Sequence, residues 1–333
     1  MASGTQGKNW MKWPCSPRIS LKIFSILLIL ILANVSFAQP INQHPLRQLL
    51  GGDQTVNFLD AKLLIDQHID PTFDEVSIRK QIETMADDIL RMVQPHTASL
   101  AKAMALKRYL YKPGPWNQYN PFTYDLKDPQ GISIKSKLLH HYLATRKGNC
   151  VSMPILVVIL GERLGLDITL SSAPLHYFAK YQVKETGRIY NIEATFGGHF
   201  VKDAYYIQNM AIHPSALKNN LYLEKLSPKK TVAAMTAVWG EHLIRHGQFN
   251  QAIDVFDAIL ETYPTFAYAM VKAGHAYANL LDQEKQGLRN LNQASPTQMA
   301  ILNRYQSKGE EYFLRAEALG WREDRESNQR GTP

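Results

Sequence analysis

The chain has 333 residues, 45% of them hydrophobic and 20% charged, with a formal charge of +8 and two cysteines. That length supports two domains or one large one, with apolar content enough for a packed core. Four bases and no acid fall in the first 38 positions; beyond them 33 basic residues face 29 acidic ones, which is solubility charge and excludes a nucleic-acid footprint.

Residues 1–38 have the pattern of a secretory signal. Lys8, Lys12, Arg18 and Lys22 lead into the apolar run Ile23–Leu32, and Ser36-Phe37-Ala38 supplies the small residues of a cleavage site before Gln39. The alternative is an uncleaved anchor, but a membrane span needs about 20 apolar residues and this run is shorter. The expectation is an exported protein, periplasmic in a Gram-negative source, with no membrane span once the segment is removed. Cys15 leaves with it. The exported chain then keeps a single thiol, Cys150, which cannot form an internal disulfide. Such a residue is either an inert buried side chain or a thiol kept for its reactivity.

Residues 45–110 read as a helical N-terminal segment. One apolar set holds Phe58, Ala61, Leu63, Leu64 and Ile69, and Asp70-Pro71-Thr72 ends it. Val76, Ile78, Ile82, Met85, Ile89 and Met92 form the next, and a third helix is expected over Ser99–Leu110. The loop Lys112–Pro121, with Trp116 and Asn120, is either a crossing loop or a cleft wall. Residues 111–226 follow as an α+β core. A helix is expected over Ile134–Thr145, then a second one whose start Pro154 fixes near Cys150, because only the first turn tolerates a missing amide hydrogen. Ile155–Leu160 is apolar on every side, so that helix is buried. Leu164-Gly165 supplies its C-terminal stop.

Strands are expected at Ile168–Leu170, from His176 to Val183, and over Arg188–Ala194, the last two joined at Lys184–Gly187. Centring that turn between Glu185 and Thr186 sets Phe178 opposite Glu193. His176 and Glu193 then become diagonal neighbours on one face, about 7–8 Å apart at Cα. A slip by one residue would turn Glu193 to the other face.

From 228 to 320 the chain reads as helical. Gly240, Gly247, Ala252, Phe256 and Pro264 resemble a tetratricopeptide repeat, and Gly274 and Tyr277 stand 34 residues beyond Gly240 and Leu243. A polar insertion is expected to interrupt the second copy around Gln283–Gln306. A plain helical hairpin is the simpler alternative.

Cys150, His176 and Glu193 are the candidate catalytic residues. A helix N-terminus favours a thiolate by aiming unpaired amide dipoles at the sulfur. An imidazole can take the thiol proton and return it to a leaving group, and a carboxylate orients the ring. The Cys150 amide is one oxyanion donor, and the Trp116–Asn120 loop is a source for a second. His140 and His141 read as surface or interhelical residues, and His199 and His213 have no evident partners. No histidine spacing suits zinc, so neither a metal nor another cofactor is expected. With no resolving cysteine, a redox-sensor role for Cys150 is the weaker use of the thiol.

The order Gly148-Asn149-Cys150, the apolar helix to Leu164-Gly165-Leu166, Ala173-Pro174-Leu175-His176-Tyr177-Phe178, and Asn191-Ile192-Glu193 before Gly197-Gly198 resembles the transglutaminase-like superfamily. More narrowly it is similar to a bacterial branch with a helical segment before the core and tetratricopeptide repeats after it. The resemblance implies a papain-like α+β core with Cys150 as nucleophile, His176 as base and Glu193 as orienting acid. The family acid is most often Asp, and Glu193 departs from that. The function implied is an exported cysteine-dependent acyl-transfer enzyme acting on amide or isopeptide bonds of a peptide or protein, hydrolysis ranking above crosslinking. Members that lack the cysteine imply the alternative, an inactive scaffold binding a protein partner through its helical repeats.

Overall fold

The computed structural model describes residues 50, 56–95, 97–288 and 294–323, so the expected signal at 1–38 lies outside the described residues. Three helices come first: α1 Phe58–Ile69, α2 Glu75–Arg91 and α3 Ser99–Tyr111. Side chains of the cap-forming type set their starts. Asn57 accepts the Asp60 amide at α1, and Asp74 accepts the Ser77 amide at α2. Helix α2 buries Ile78, Ile82, Met85 and Ile89, but Val76, grouped with them on periodicity, is exposed. At about 100° per residue Val76 falls on the opposite face.

The helix expected over Ile134–Thr145 is shorter. Lys135–Lys137 makes a 3-10 turn, Leu138 is extended, and α4 covers only Leu139–Thr145. The reason is polar. The buried Asp66 carboxylate takes the Leu139 amide at 2.8 Å, and the Lys62 ammonium takes the Lys137 carbonyl at 3.1 Å. Those partners hold the backbone at 137–139 in a break that local propensity alone does not predict.

Helix α5, Ser152–Arg163, is the centre of the core, with every residue from Ser152 to Gly161 buried. It ends at Leu164, and Gly165 follows with φ +69°, the left-handed position where glycine is favoured. A four-stranded antiparallel sheet packs against it in the order β3-β4-β5-β6: Asp167–Ala173, His176–Gln182, Ile189–Glu193 and His199–Val201. Ala179 faces Ile192 and Gln182 faces Ile189, which is the register expected from the turn at Lys184–Gly187. Two short parallel strands, β1 Thr123–Tyr124 and β2 Lys147–Gly148, lead up to Cys150. Neither was expected from the sequence, because two residues carry no periodicity.

After α6 Asp203–Asn209 and α7 Pro214–Lys218 come four long helices: α8 Pro228–Arg245, α9 Phe249–Thr262, α10 Ala267–Gly287 and α11 Pro296–Ala318. A Cβ on Gly240 would meet the Phe256 ring at 2.4 Å, and one on Gly274 would meet the Phe313 ring at 2.9 Å. The two glycines, 34 residues apart, therefore do the same job of letting an aromatic ring onto a helix backbone. The expected polar interruption at Gln283–Gln306 is corrected. Helix α10 runs on to Gly287 and α11 starts at Pro296, behind a Ser295 cap whose partner is Gln298. Asp282–Gln286 are exposed at consecutive positions, more than a full turn, so the polarity marks a last stretch of helix surrounded by solvent rather than an insertion that interrupts it.

The helical region is fastened to the core. Leu223 and Leu226 donate their amides to Ser172 and Leu170 along the outer edge of β3, and Thr231 Oγ1 accepts the Leu170 amide. Helix α8 also packs against α1. The eleven α-helices of the described residues fall in one compact unit.

Candidate functional site

Asn149 sets the geometry at Cys150. Its carbonyl accepts the Met153 amide, the first helical bond of α5, and its Oδ1 accepts the amides of Val151 at 2.9 Å and Ser152 at 3.2 Å. That makes Asn149 the functional cap and leaves Cys150 in the first turn, where the unpaired amides lie. The Asn149 Nδ2 donates to Ser136 Oγ at 2.9 Å. Asn149 is fully buried while the Cys150 side chain is partly open. The Cys150 thiol reaches the Leu175 carbonyl at 3.8 Å, so the sulfur lies against the β3–β4 corner.

His176 begins β4 immediately after that corner. Its Nε2 is 2.8 Å from Glu193 Oε2, at the end of β5. The Cys150 side chain lies near enough to act on the ring as well. Burial pulls the His176 pKa down, but Cys150 and Glu193 together outweigh it, and the value is pushed up to about 9. The structure thus brings Cys150, His176 and Glu193 into one chain of contacts. With Nε2 committed to Glu193, Nδ1 is the ring nitrogen left for the sulfur.

Glu193 is buried and saturated. Oε2 accepts the Tyr206 hydroxyl at 2.9 Å as well as His176, and Oε1 accepts the Thr195 amide at 3.1 Å and its hydroxyl at 2.5 Å. Burial alone would raise the Glu193 pKa; His176, Thr195 and Tyr206 together hold it below its usual value, so the carboxylate stays ionised. Tyr206 stacks on Phe178 at 4.0 Å between ring centroids, which fixes its hydroxyl under the carboxylate.

Two residues of the site were not found by sequence reasoning. Asn149 belonged to the quoted motif without a role, although Asn is a strong cap former just before a helix that Pro154 already locates. Tyr206 lies in a short helix with no motif, and only the fold brings it back to β5. A third, Tyr124 on β1, lies where the charges of both Cys150 and Glu193 act on it, and its hydroxyl donates to the Pro129 carbonyl.

Two polar side chains of the Trp116–Asn120 loop, expected as a source of the second oxyanion donor, are spent elsewhere. Trp116 Nε1 donates to the Lys112 carbonyl, and Asn117 spends its amide on the Tyr109 and Lys112 carbonyls. The loop instead lines a groove with Lys80, Asp88 and Arg146. His140 pairs with Asp70 at 3.3 Å and stacks on Phe73, an interhelical role as expected. His213 caps α7, and His199 contacts the Phe196 ring. Among the described residues no three His, Cys, Asp or Glu side chains form a group that could hold a metal ion, and no helix is long and apolar enough to cross a membrane.

Residues 76–237 match the family model of the transglutaminase-like superfamily. This segment is a transglutaminase-like domain. It begins in α2, contains Cys150, His176 and Glu193, and ends within α8. No curated protein and no solved structure matches the chain. The transglutaminase-like domain is therefore mixed α and β, and a helical region continues beyond it.

Proposed function

We propose that this protein is a cysteine-dependent acyl-transfer enzyme in which Cys150 is the nucleophile, His176 the proton carrier and Glu193 the orienting acid. The observation that carries the reading is the relay from Glu193 through Nε2 of His176 to the Cys150 side chain at a helix start. In the first step the Cys150 thiolate attacks an amide or isopeptide carbonyl carbon. The tetrahedral intermediate collapses to a thioester, and the departing amine takes the proton held by His176. In the second, neutral His176 takes a proton from water as its oxygen attacks the thioester, releasing the acid and restoring thiolate and imidazolium. An amine in place of water would give a crosslink by the same route. Hydrolysis is preferred because water is the abundant acceptor. The Cys150 amide is the first oxyanion donor in this scheme.

Export through residues 1–38 and a tetratricopeptide reading of 228–320 complete the proposal. The second is supported by the matching glycine–phenylalanine contacts at Gly240 and Gly274. The test is activity-based thiol labelling and a peptide-library screen on the mature protein beside Cys150→Ala. Cleavage or transfer that survives Cys150→Ala overturns the enzyme reading. Complete inactivity, with a thiol no more reactive than free cysteine, favours the scaffold alternative.

A further inference from the structure

The hydrogen bonding that fixes Asn149 extends past Asn149. Its Nδ2 donates to Ser136 Oγ at 2.9 Å, and Ser136 Oγ shares its own proton between Asp128 Oδ2 at 2.9 Å and the Ser133 carbonyl at 2.7 Å. Asp128 also organises the backbone around it. Oδ1 accepts the Ile132 amide at 2.7 Å, Oδ2 accepts the Ser133 amide at 3.1 Å, and the Asp128 carbonyl accepts the Gly131 amide at 3.0 Å. Gly131, at φ +60°, is pressed onto Asn149, since a Cβ there would meet Nδ2 at 2.8 Å. Asn149 and Ser136 are buried and Asp128 is half-buried, so this row of bonds runs from the solvent edge to the helix that carries Cys150.

Each link has a direction. The side-chain amide of Asn149 has a donor at one end and an acceptor at the other, and only with Oδ1 toward α5 can it take the Val151 and Ser152 amides. A serine hydroxyl accepts from Nδ2 only when its proton points elsewhere. Asp128 draws that proton in a charge-assisted bond, and it pins the Ser133 backbone whose carbonyl shares it. Asp128, Ser136 and Asn149 stand outside the relay of Glu193 and His176. Burial leaves little water to replace a lost member of the row.

We propose that Asp128 is a positioning residue for the nucleophile: through Ser136 it sets which end of the Asn149 amide faces the start of α5, and so holds the cap beside Cys150 in the orientation that favours a thiolate. The acyl-transfer reading supplies the use of that thiolate, and the proposal rests on it for that alone. A positioning role and a bare charge predict opposite signs. A carboxylate acting only as a neighbouring negative charge disfavours a thiolate, so its removal would speed alkylation of Cys150. Removal of a positioning group loosens the helix start and slows it.

Iodoacetamide alkylation of Cys150 in the full-length protein, followed by peptide mass spectrometry across pH, gives a neutral-pH rate and a midpoint. Asp128→Ala and Ser136→Ala should each slow that rate several-fold and move the midpoint up. Ser136→Ala keeps the Asp128 charge, so equal slowing in the two reports the row of bonds. Asp128→Asn loses the charge but keeps one acceptor oxygen, and should fall between Asp128→Ala and wild type. In an Asn149→Ala background Asp128→Ala should change nothing further, because the group it orients is gone. A rate in folded Asp128→Ala equal to or above wild type overturns the proposal, as does an undiminished loss in the Asn149→Ala background. Should Asp128→Ala fail to give a cooperative thermal melt, Ser136→Ala and Asp128→Asn decide by the same criteria. A wild-type rate no higher than that of glutathione would defeat the acyl-transfer reading, while the ratios among variants still decide the positioning.

Discussion

Asn149 and Ser152 cap one another across Cys150: Asn149 Oδ1 accepts the Ser152 amide at 3.2 Å, and Ser152 Oγ accepts the Asn149 amide at 3.2 Å. The reciprocal pair closes the first turn of α5 over the cysteine and fixes where the sulfur leaves the backbone. Losing a cap costs about 1–2 kcal/mol, and here Ser136 Oγ would lose a partner too. Asn149→Ala should therefore lower urea stability by about 2 kcal/mol and slow Cys150 alkylation at neutral pH. A variant with wild-type midpoint and wild-type alkylation would show that the cap sets neither.

The His176 ring holds its proton because Cys150 and Glu193 outweigh its burial. Its pKa, raised from 6.5 to about 9, should fall in Cys150→Ala and again in Glu193→Gln, read by NMR titration of labelled histidine. The same shift ties stability to pH. Between about 6.5 and 9 the folded protein binds the His176 proton more tightly than the unfolded chain does. The His176 contribution is then complete below 6.5 and is lost as pH rises through 9. Wild type should lose on the order of 2 kcal/mol of its advantage over His176→Gln across that window. A constant difference between the two would place the pair in its neutral form.

Glu193→Gln should leave partial activity, since an amide can still orient the ring but cannot stabilise imidazolium. Tyr206→Phe keeps the carboxylate and removes one of its four donors. Its loss in kcat should be smaller, on the order of tenfold or less, with KM unchanged. Equal activity in wild type and Glu193→Gln would remove that residue from the proton relay.

How much of this could be read from the chain depends on range. The β4–β5 register was legible because Lys184–Gly187 is a short turn between strongly patterned strands, and Ala179 then has to meet Ile192. The start of α5 was legible because Pro154 forbids a continued helix upstream. The break at Leu138 was not, because the Asp66 carboxylate that holds it comes from 73 positions away. Nor was the support of Glu193 by Tyr206, a contact through tertiary packing and not through pattern. The polar stretch after Gln283 misled for the opposite reason: composition registered the solvent around the end of α10 but not that its backbone stays helical to Gly287.

Gly240 and Gly287 lie in helices with opposite surroundings. A Cβ on Gly240 would run into the Phe256 ring at 2.4 Å, whereas one on Gly287 meets nothing within 4 Å. Alanine is the better helix former by about 1 kcal/mol, but overpacking costs about 1–3 kcal/mol. Gly240→Ala should thus lower the melting temperature by several degrees, and Gly287→Ala should leave it unchanged or raise it slightly. Matching melting temperatures in the two variants would mean that the α8–α9 packing is loose.

The helical region serves the core as well as any partner. Helix α8 packs on α1 and β3, Thr231 satisfies the Leu170 amide, and Glu241 neutralises the nearly buried Lys137. A chain ended after Ser227 would leave that lysine without its carboxylate and the Leu170 amide without Thr231, and would bare the apolar faces that α8 covers. It should be insoluble or melt far below the full protein, with Cys150 no longer more reactive than a free thiol. A chain ended after Leu288 keeps Glu241 and loses only α11. It should stay folded with a lowered melting temperature and retain Cys150 reactivity. Soluble yield, thermal melts and alkylation rates compare the three lengths directly. Wild-type behaviour of the shortest chain would show that the transglutaminase-like domain folds without its helical neighbours, and that the buried Lys137–Glu241 pair contributes nothing to it.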